Sequence, residues 1–97
     1  MKTLDSKDPV EIVPVTFEFE SAPAGAVSIE VSVSKGRADP DVNTMLAGVH
    51  QVSGNNVVQH VQAGLDDRDY LLRCIVDDAP AKYVNACILP VRYRNGK

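Results

Sequence analysis

Alternation of apolar and polar residues is the dominant pattern along the chain, and a helical period is hard to find. In residues 27–33 every odd position is a β-branched aliphatic residue and every even position is Ser or Glu. Such alternation predicts a strand with one apolar face and one polar face. A second alternating stretch covers residues 13–19, and Pro14 within it cannot donate to a ladder. We therefore expect this strand to lie at the edge of a sheet or to switch its pairing partner at Pro14.

The middle and the end of the chain continue the pattern with different clarity. Residues 45–52 fit one strand bent at Gly48, the turn Ser53-Gly54-Asn55-Asn56 follows, and residues 57–62 return as its partner. A helix near residues 44–47 is too short to prefer. The alternation is clear again in the last third, over residues 70–77 and residues 83–93. These two runs predict a final hairpin.

Short strands joined by Gly, Pro, Asn and Asp turns predict a single all-β domain. We expect an immunoglobulin-like antiparallel β-sandwich of six or seven strands, with a small barrel as the alternative. A chain of 97 residues has room for one hydrophobic core. The expected boundaries are a flexible N-terminal arm over residues 1–8, the sandwich over residues 9–94 and a tail over residues 95–97.

The charge balance narrows the classes of partner. A formal net charge of -3 argues against a general nucleic-acid or membrane-surface binder, which needs a basic face. No apolar run approaches the roughly 20 residues of a membrane helix, and residues 1–8 lack the apolar core of a signal peptide. We therefore expect synthesis in the cytosol of a host. Three basic residues near the end predict a solvated strand end, or else a contact with an acidic partner: Arg92, Arg94 and Lys97.

The histidines and cysteines are the first candidates for chemistry. His50 and His60 are predicted on neighbouring strands, but two imidazoles are too few for structural zinc without thiols or carboxylates. Cys74 and Cys87 lack the Cys-x-x-Cys spacing that would complete such a site. We expect exposed strand histidines and small buried thiols, which stay reduced in a cytosol. A disulfide across the final hairpin is the alternative for the two cysteines.

The densest acidic cluster consists of Asp66, Asp67 and Asp69, directly before Tyr70. Three aspartates could supply oxygen ligands to Ca²⁺, but the D-x-D-x-D-G spacing and the closing Glu of an EF-hand are missing. We expect a solvated loop with Asp turn chemistry. Tyr70 fits the corner tyrosine of a sandwich, which serves packing and one hydrogen bond. We predict no catalytic, cofactor-binding or metal-binding residues, and no enzymatic activity.

Several short motifs follow one another in a characteristic order. They are Lys7-Asp8-Pro9-Val10-Glu11, Phe17-Glu18-Phe19-Glu20-Ser21, the turn at Gly25, the strand over residues 29–33, Gly64-Leu65 before Tyr70, and Leu89-Pro90-Val91-Arg92. Over residues 7–94 this order resembles a family of small tailed-bacteriophage virion proteins, the fiber-tail adaptor or head-tail structural proteins. The resemblance implies an immunoglobulin-like sandwich without catalytic residues. It also implies localisation in the virion, in multiple copies, with tail, connector, fiber or capsid subunits as partners.

Within this class we expect a fiber or tail adaptor, with a capsid decoration protein as the alternative. The arm of residues 1–8 and the edge strand bearing Pro14 are the expected contact elements. The alternative from another class is a free module that binds a glycan or a host surface. Such a module needs exposed aromatic side chains, and the tyrosines available for this are Tyr70, Tyr83 and Tyr93.

Overall fold

The computed structural model describes residues 1–78 and 80–94. Its elements are seven strands and one 3-10 helix, in the order β1 (Lys2–Thr3), β2 (Val13–Glu18), β3 (Ala26–Lys35), the 3-10 helix (Val42–Met45), β4 (Leu46–Ser53), β5 (Asn56–Val61), β6 (Arg68–Asp78) and β7 (Ala81–Val91). In this part of the chain, no helix has the length and apolar character needed to cross a membrane.

The strands form two separate sheets, which confirms the predicted sandwich. The four-stranded sheet has the order β1-β7-β6-β3, and the three-stranded sheet has the order β2-β5-β4. Neighbouring strands are antiparallel except β1, which is parallel to β7. The strand bearing Pro14 is β2, and it lies at a sheet edge as predicted.

One face of each long strand lies in the core between the sheets, because side chains alternate along a strand. The largest contribution comes from β6 and β7, whose inward side chains are at most 5 % exposed: Tyr70, Leu72, Cys74, Val76, Cys87, Leu89 and Val91. The three-stranded sheet contributes Val15, Phe17, Val57 and Val61. The alternation predicted over residues 70–77 therefore corresponds to a buried face. The β7 alternation extends beyond the core, since Tyr83 is 53 % exposed and Tyr93 is 64 % exposed.

The middle of the chain also follows the prediction, with one addition. The strands β4 and β5 form the expected hairpin, and Gly54 in its turn has a φ of +58°. The predicted bend occurs at Gly48, where φ is +73° and the pairing with β5 is irregular between Ala47 and Gln51. The addition is the single 3-10 turn before β4, which the short run of residues did not favour. Its last residue, Met45, is fully buried, and this burial fixes the turn against the core.

The N-terminal segment differs from the flexible arm expected over residues 1–8, because it pairs with β7. The Leu4 amide donates to the Ile88 carbonyl at 2.8 Å, and the Lys7 amide donates to the Pro90 carbonyl at 2.9 Å. The Arg92 amide returns a hydrogen bond to the Lys7 carbonyl at 2.9 Å. Residues 1–8 thus belong to the sandwich. The tail expected over residues 95–97 lies outside the described residues.

The Lys7 side chain explains why this segment is held. It is only 1 % exposed, and its ammonium donates to the carbonyls of Asp8 at 2.8 Å and of Ala63 at 2.6 Å. A third carbonyl, that of Pro9, lies at 3.4 Å. Burial lowers the pKa of the Lys7 ammonium. The ammonium joins the N-terminal segment to the connection between β5 and β6, 56 residues away along the chain.

Polar contacts with the C-terminal end surround this ammonium. The Asp8 carboxylate accepts hydrogen bonds from the amides of Val10 at 2.9 Å and Arg94 at 2.8 Å, and these lower the pKa of Asp8. The Arg94 guanidinium pairs with Glu11 at 3.0 Å. Arg92 pairs with Asp69 at 2.8 Å, so these two arginines bind acidic groups of the chain itself. The third basic residue of the expected cluster, Lys97, lies outside the described residues.

The substitution Lys7→Met tests the role of the ammonium, because it keeps the aliphatic stem and removes the donor. We expect the free energy of unfolding to fall by about 1–3 kcal/mol, since buried carbonyls lose their partner. In a domain of this size each kcal/mol lowers Tm by about 4–8 °C, measurable by calorimetry. The matched control is Lys82→Met, because Lys82 forms only an exposed ion pair at 3.8 Å with Asp77. Equal Tm values for the two variants would contradict the role of Lys7.

Candidate functional site

The outer face of the four-stranded sheet carries an unexpected set of apolar side chains. We define the docking face as the three middle rows of outward residues that cross-strand pairing aligns on β3, β6 and β7, together with Thr3 of β1. The outward rows beyond them contain Lys35, Asp69 and Pro90 at one end and Ala26, Asp77 and Lys82 at the other. The rows of the docking face are Ser32, Leu71, Ile88 and Thr3 in the first; Glu30, Arg73 and Ala86 in the second; Ser28, Ile75 and Val84 in the third. Two rows with large aliphatic side chains therefore flank one ionic row.

The aliphatic side chains of the docking face do not belong to the core. Leu71, Ile75 and Ile88 are partly exposed and lie outside the core cluster, and Val84 is 50 % exposed. Burying a Leu, Ile or Val side chain fully contributes about 1.5–3 kcal/mol. Because these side chains are only partly covered by their neighbours, a partner would gain part of that free energy from each.

The other sheet provides an internal comparison. Its outward positions that pair in register are mostly polar or small: Pro14, Thr16, Glu18, Ala47, Gln51, Ser53, Asn56, Val58 and His60. An antiparallel sheet with one solvated face normally shows this apolar-in, polar-out alternation. The paired outward positions of the four-stranded sheet depart from it, with four large aliphatic residues on the solvent side. The three-stranded sheet exposes two aliphatic residues of its own on β4, since Val49 is 84 % exposed and Val52 is 49 % exposed. Exposed aliphatic side chains grouped on one sheet face make this face the candidate interaction site.

The ionic row gives the docking face its polarity. An Arg73 guanidinium nitrogen lies 3.0 Å from a Glu30 carboxylate oxygen, and both side chains are about half exposed. An exposed ion pair of this kind adds little to stability, about 0–1 kcal/mol. A partner that covers the pair must supply hydrogen bonds to it, because desolvation of an unsatisfied charge is costly. The pair therefore contributes little to the stability of the fold.

The docking face was missed in the sequence, although a signal for it is present. The β6 stretch Leu71-Leu72 and the β7 stretch Ile88-Leu89 place aliphatic residues on both sides of the strand. Period-two analysis assigned one side to the core and left Leu71, Ile75 and Ile88 without a role. Surplus apolar residues on the second face were the informative feature.

The structure does not bring the two histidines together as a cross-strand pair. His60 is exposed on β5 opposite Ala47, whereas His50 lies in the irregular stretch of β4 before Gln51. Among residues 1–78 and 80–94, no group of three or more His, Cys, Asp or Glu side chains is placed to hold a metal ion.

The two cysteines are free and buried, which confirms the expected thiols and not the alternative disulfide. The register of the final hairpin gives the reason. Leu72 lies opposite Cys87, and Cys74 lies opposite Asn85, so the two sulfur atoms are offset by two residues. Burial raises the pKa of Cys74 to about 11 and also raises the pKa of Cys87.

The aspartates before β6 each serve a different local contact. The Asp66 carboxylate accepts the Tyr93 amide at 2.7 Å, Asp69 pairs with Arg92, and Asp67 adopts a positive φ of 62° in the turn. These carboxylates therefore organise the chain around the turn.

Tyr70 adopts the corner arrangement that the sequence predicted, with one additional hydrogen bond. Its hydroxyl accepts from the Leu65 amide at 2.8 Å and donates to the Asp39 carboxylate at 2.7 Å. Burial raises the pKa of the Tyr70 hydroxyl. The ring is fully buried, so it is not available to stack on a ligand.

A cleft of about 520 Å³ opens at the end of the sandwich where β2 leaves and β7 begins. Its lining includes Phe19, Glu20, Val76, Lys82 and Tyr83. Two aromatic rings line this cleft, the exposed ring of Tyr83 and the partly buried ring of Phe19. Tyr93 lies beyond the opposite end of β7, so the two exposed tyrosines do not form one stacking surface.

Thiol accessibility can be checked directly. In the folded protein we expect neither Cys74 nor Cys87 to react with Ellman's reagent at neutral pH, because burial excludes the reagent and disfavours the thiolate. After unfolding in guanidinium chloride both thiols should react. A rapid reaction of either thiol in the native protein would contradict the placement of these residues.

Comparison with known proteins adds no relative. No protein-family model matches the sequence, and no significant match was found among curated proteins or solved structures.

Proposed function

We propose that the chain is a structural protein of a tailed-phage virion, and that its docking face binds tail, connector or capsid subunits. The role we favour is a fiber or tail adaptor. The observation that carries the proposal is the pair of aliphatic rows exposed on the four-stranded sheet. The order of motifs over residues 7–94 supplies the setting, because it resembles small virion proteins of this kind.

The shape of the docking face favours a protein partner. Side chains that stand on a sheet form a broad surface, whereas small-molecule sites are concave. From β3 to β7 the face is about 10 Å wide, and from Leu71 to Ile75 it is about 14 Å long, given standard strand spacing and rise. The area enclosed by these two lengths, about 140 Å², is well below the roughly 800 Å² that each partner of a stable complex buries. Single contacts of this size are weak, and repeated copies in one particle make them sufficient through avidity.

The N-terminal arm and the edge strand bearing Pro14, which the sequence suggested as contact elements, are less suitable for binding than the docking face. Residues 1–8 are engaged with β7 and the β5–β6 connection, so they are not free to wrap a neighbour. Pro14 removes a backbone donor from the β2 edge, which weakens that edge as a template for strand addition. The docking face is the better candidate, because its aliphatic side chains lie outside the core cluster and remain partly exposed.

The substitution Leu71→Glu tests docking. The side chain points to solvent, so we expect a folded protein whose Tm is close to that of the wild type. Attachment to particles should be lost, because the carboxylate would be buried without a partner. The measurement is the copy number of the chain per purified particle, determined by mass spectrometry.

The matched control is Val58→Glu, which places the same charge on the outer side of the other sheet. Val58→Glu is expected to keep the wild-type copy number. Unchanged copy number for Leu71→Glu, or equal loss for both variants, would exclude the docking face as the attachment site.

The same measurement distinguishes the two roles within the virion. A copy number far below that of the major capsid protein indicates a tail or fiber adaptor. A copy number comparable to that of the capsid protein indicates a decoration protein. Absence of the chain from purified particles would refute the virion proposal as a whole.

A glycan- or host-surface-binding module is the second candidate function, and the cleft beside Tyr83 is the observation that favours it. Its volume is within the range of small-ligand sites, about 300–1,000 Å³. A glycan array with the isolated domain tests this candidate. Saturable binding that Tyr83→Ala abolishes and Leu71→Glu leaves intact would favour this candidate over the virion role.

A further inference from the structure

The β3 strand is the edge of the four-stranded sheet opposite β1, and the 3-10 helix lies close to it. Residues 26–33 pair with β6 in unbroken register, and the first irregularity comes between Val33 and Lys35. Native edge strands are normally blunted by short length, Pro, bulges or charge. The other edges have such features: β1 has two residues, β2 contains Pro14, and β4 is irregular after Ala47. The β3 edge carries the charged residues Glu30 and Lys35, but it is ten residues long, and residues 26–33 are regular and free of proline.

We propose that two copies of the chain pair through their β3 strands, antiparallel, about a two-fold axis that passes at Ile29. The partner is a second copy, because the sequence of this edge is complementary to itself. Pairing would join the two four-stranded sheets into one continuous sheet of eight strands. This proposal is independent of the virion role and concerns the chain alone.

Two constraints limit the register of the β3–β3 pairing: which residues can lie opposite each other, and where like charges would meet. Residues opposite one another in an antiparallel pair lie on the same face, so a two-fold axis must pass at a residue. An axis at Glu30 would place the two Glu30 carboxylates directly opposite each other, which is destabilising. An axis at Val31 would extend the pairing into the irregularity after Val33 in both copies. The axes at Ile29 and Ser28 avoid both problems, but an axis at Ser28 places Glu30 opposite Ala26, which offers it no hydrogen bond, whereas the axis at Ile29 places Glu30 opposite Ser28.

The favoured register gives complementary contacts on each face. On the outer side, Ser28 of each copy lies opposite Glu30 of the other, where its hydroxyl can donate to the carboxylate. On the inner side, Val27 lies opposite Val31, so the apolar row continues across the axis. Arg73 already pairs with Glu30 within each chain, at 3.0 Å, and this offsets the charge near the axis.

Pairing at this edge would also enlarge the docking face. The aliphatic rows of both copies would lie on the same side of one sheet, related by the two-fold axis. The limited area of a single docking face would then be doubled without any change within the chain. A dimer would bind a partner through two equivalent patches.

Charge substitutions at Ser28 test both the dimer and its register. In sedimentation experiments over a range of concentrations, the wild type should dimerise. Ser28→Glu places a carboxylate opposite Glu30 at two symmetric positions, and should raise the dissociation constant about tenfold. Ser28→Lys places an ammonium there and should lower it.

The matched control is Ser32→Glu, an exposed serine on the same face of the same strand. With the axis at Ile29 it lies opposite Ala26, so the dissociation constant should change little. If Ser32→Glu weakens the dimer and Ser28→Glu does not, the axis is at Val31 and the proposed register is overturned. A monomer at all concentrations overturns the proposal entirely, as does a dimer that neither glutamate affects.

Spin labels provide an independent distance. With the axis at Ile29, the two Cα atoms of residue 28 lie about 8 Å apart and those of residue 32 about 21 Å apart. Labelled Ser28→Cys should show strong dipolar broadening, and labelled Ser32→Cys should not. The native thiols are buried and should remain unlabelled. Broadening at residue 32 alone, or at neither residue, would contradict the register.

The dimer and the docking proposal can fail separately. Leu71→Glu is expected to leave the dissociation constant of the dimer unchanged, because Leu71 lies one strand away from the edge. Loss of particle attachment in that variant, with the dimer intact, supports both proposals. A monomeric wild type that still attaches to particles through Leu71 refutes the dimer alone.

Discussion

A strand in a two-layer sandwich can bury only one of its two faces against the other sheet, and this constraint governs the rest of the molecule. The inward residues of β6 and β7 fill the core with side chains such as Tyr70 and Leu89. Whatever stands on the outward side must meet water or another molecule. On the three-stranded sheet the outward side is mostly polar, as solvent requires. On the four-stranded sheet the outward side includes four large aliphatic residues, and the proposed docking is based on them.

How much of this could be predicted depends on how local each interaction is. Alternation over residues 27–33 and 70–77 predicted β3 and β6, because the side-chain period of a strand is recorded in consecutive residues. The attachment of residues 1–8 could not be predicted this way. These residues are held in place by a hydrogen bond between a buried ammonium and a carbonyl that are 56 residues apart in sequence. A charged residue in a sequence normally predicts a solvent-exposed side chain. The chemistry that holds the segment is therefore invisible to any pattern of hydrophobicity.

In the candidate site, too, some features can be predicted from consecutive residues and others depend on how distant strands pair. The register that separates Cys74 from Cys87 is set by where the final turn falls, and a shift of one residue would have changed every cross-strand pair. The aliphatic residues of the docking face were visible in the sequence, yet a strand-by-strand analysis does not tell which sheet faces remain uncovered. That information comes from the order of strands. Sheet order also identifies β3 as an edge, since nothing in its sequence differs from an interior strand.

The parallel pairing of β1 with β7 has a mechanical consequence. The two strands run in the same direction, so tension applied between residue 1 and residue 94 pulls them past each other along their length. The backbone hydrogen bonds of Leu4, Lys7 and Arg92 cross this boundary and share the load together, in shear. Hydrogen bonds loaded in shear must break together, whereas those in a hairpin pulled from its open end break one at a time. The buried Lys7 ammonium lies at the same boundary, so the interaction that secures the N-terminal segment also sets the force at which the domain would begin to yield.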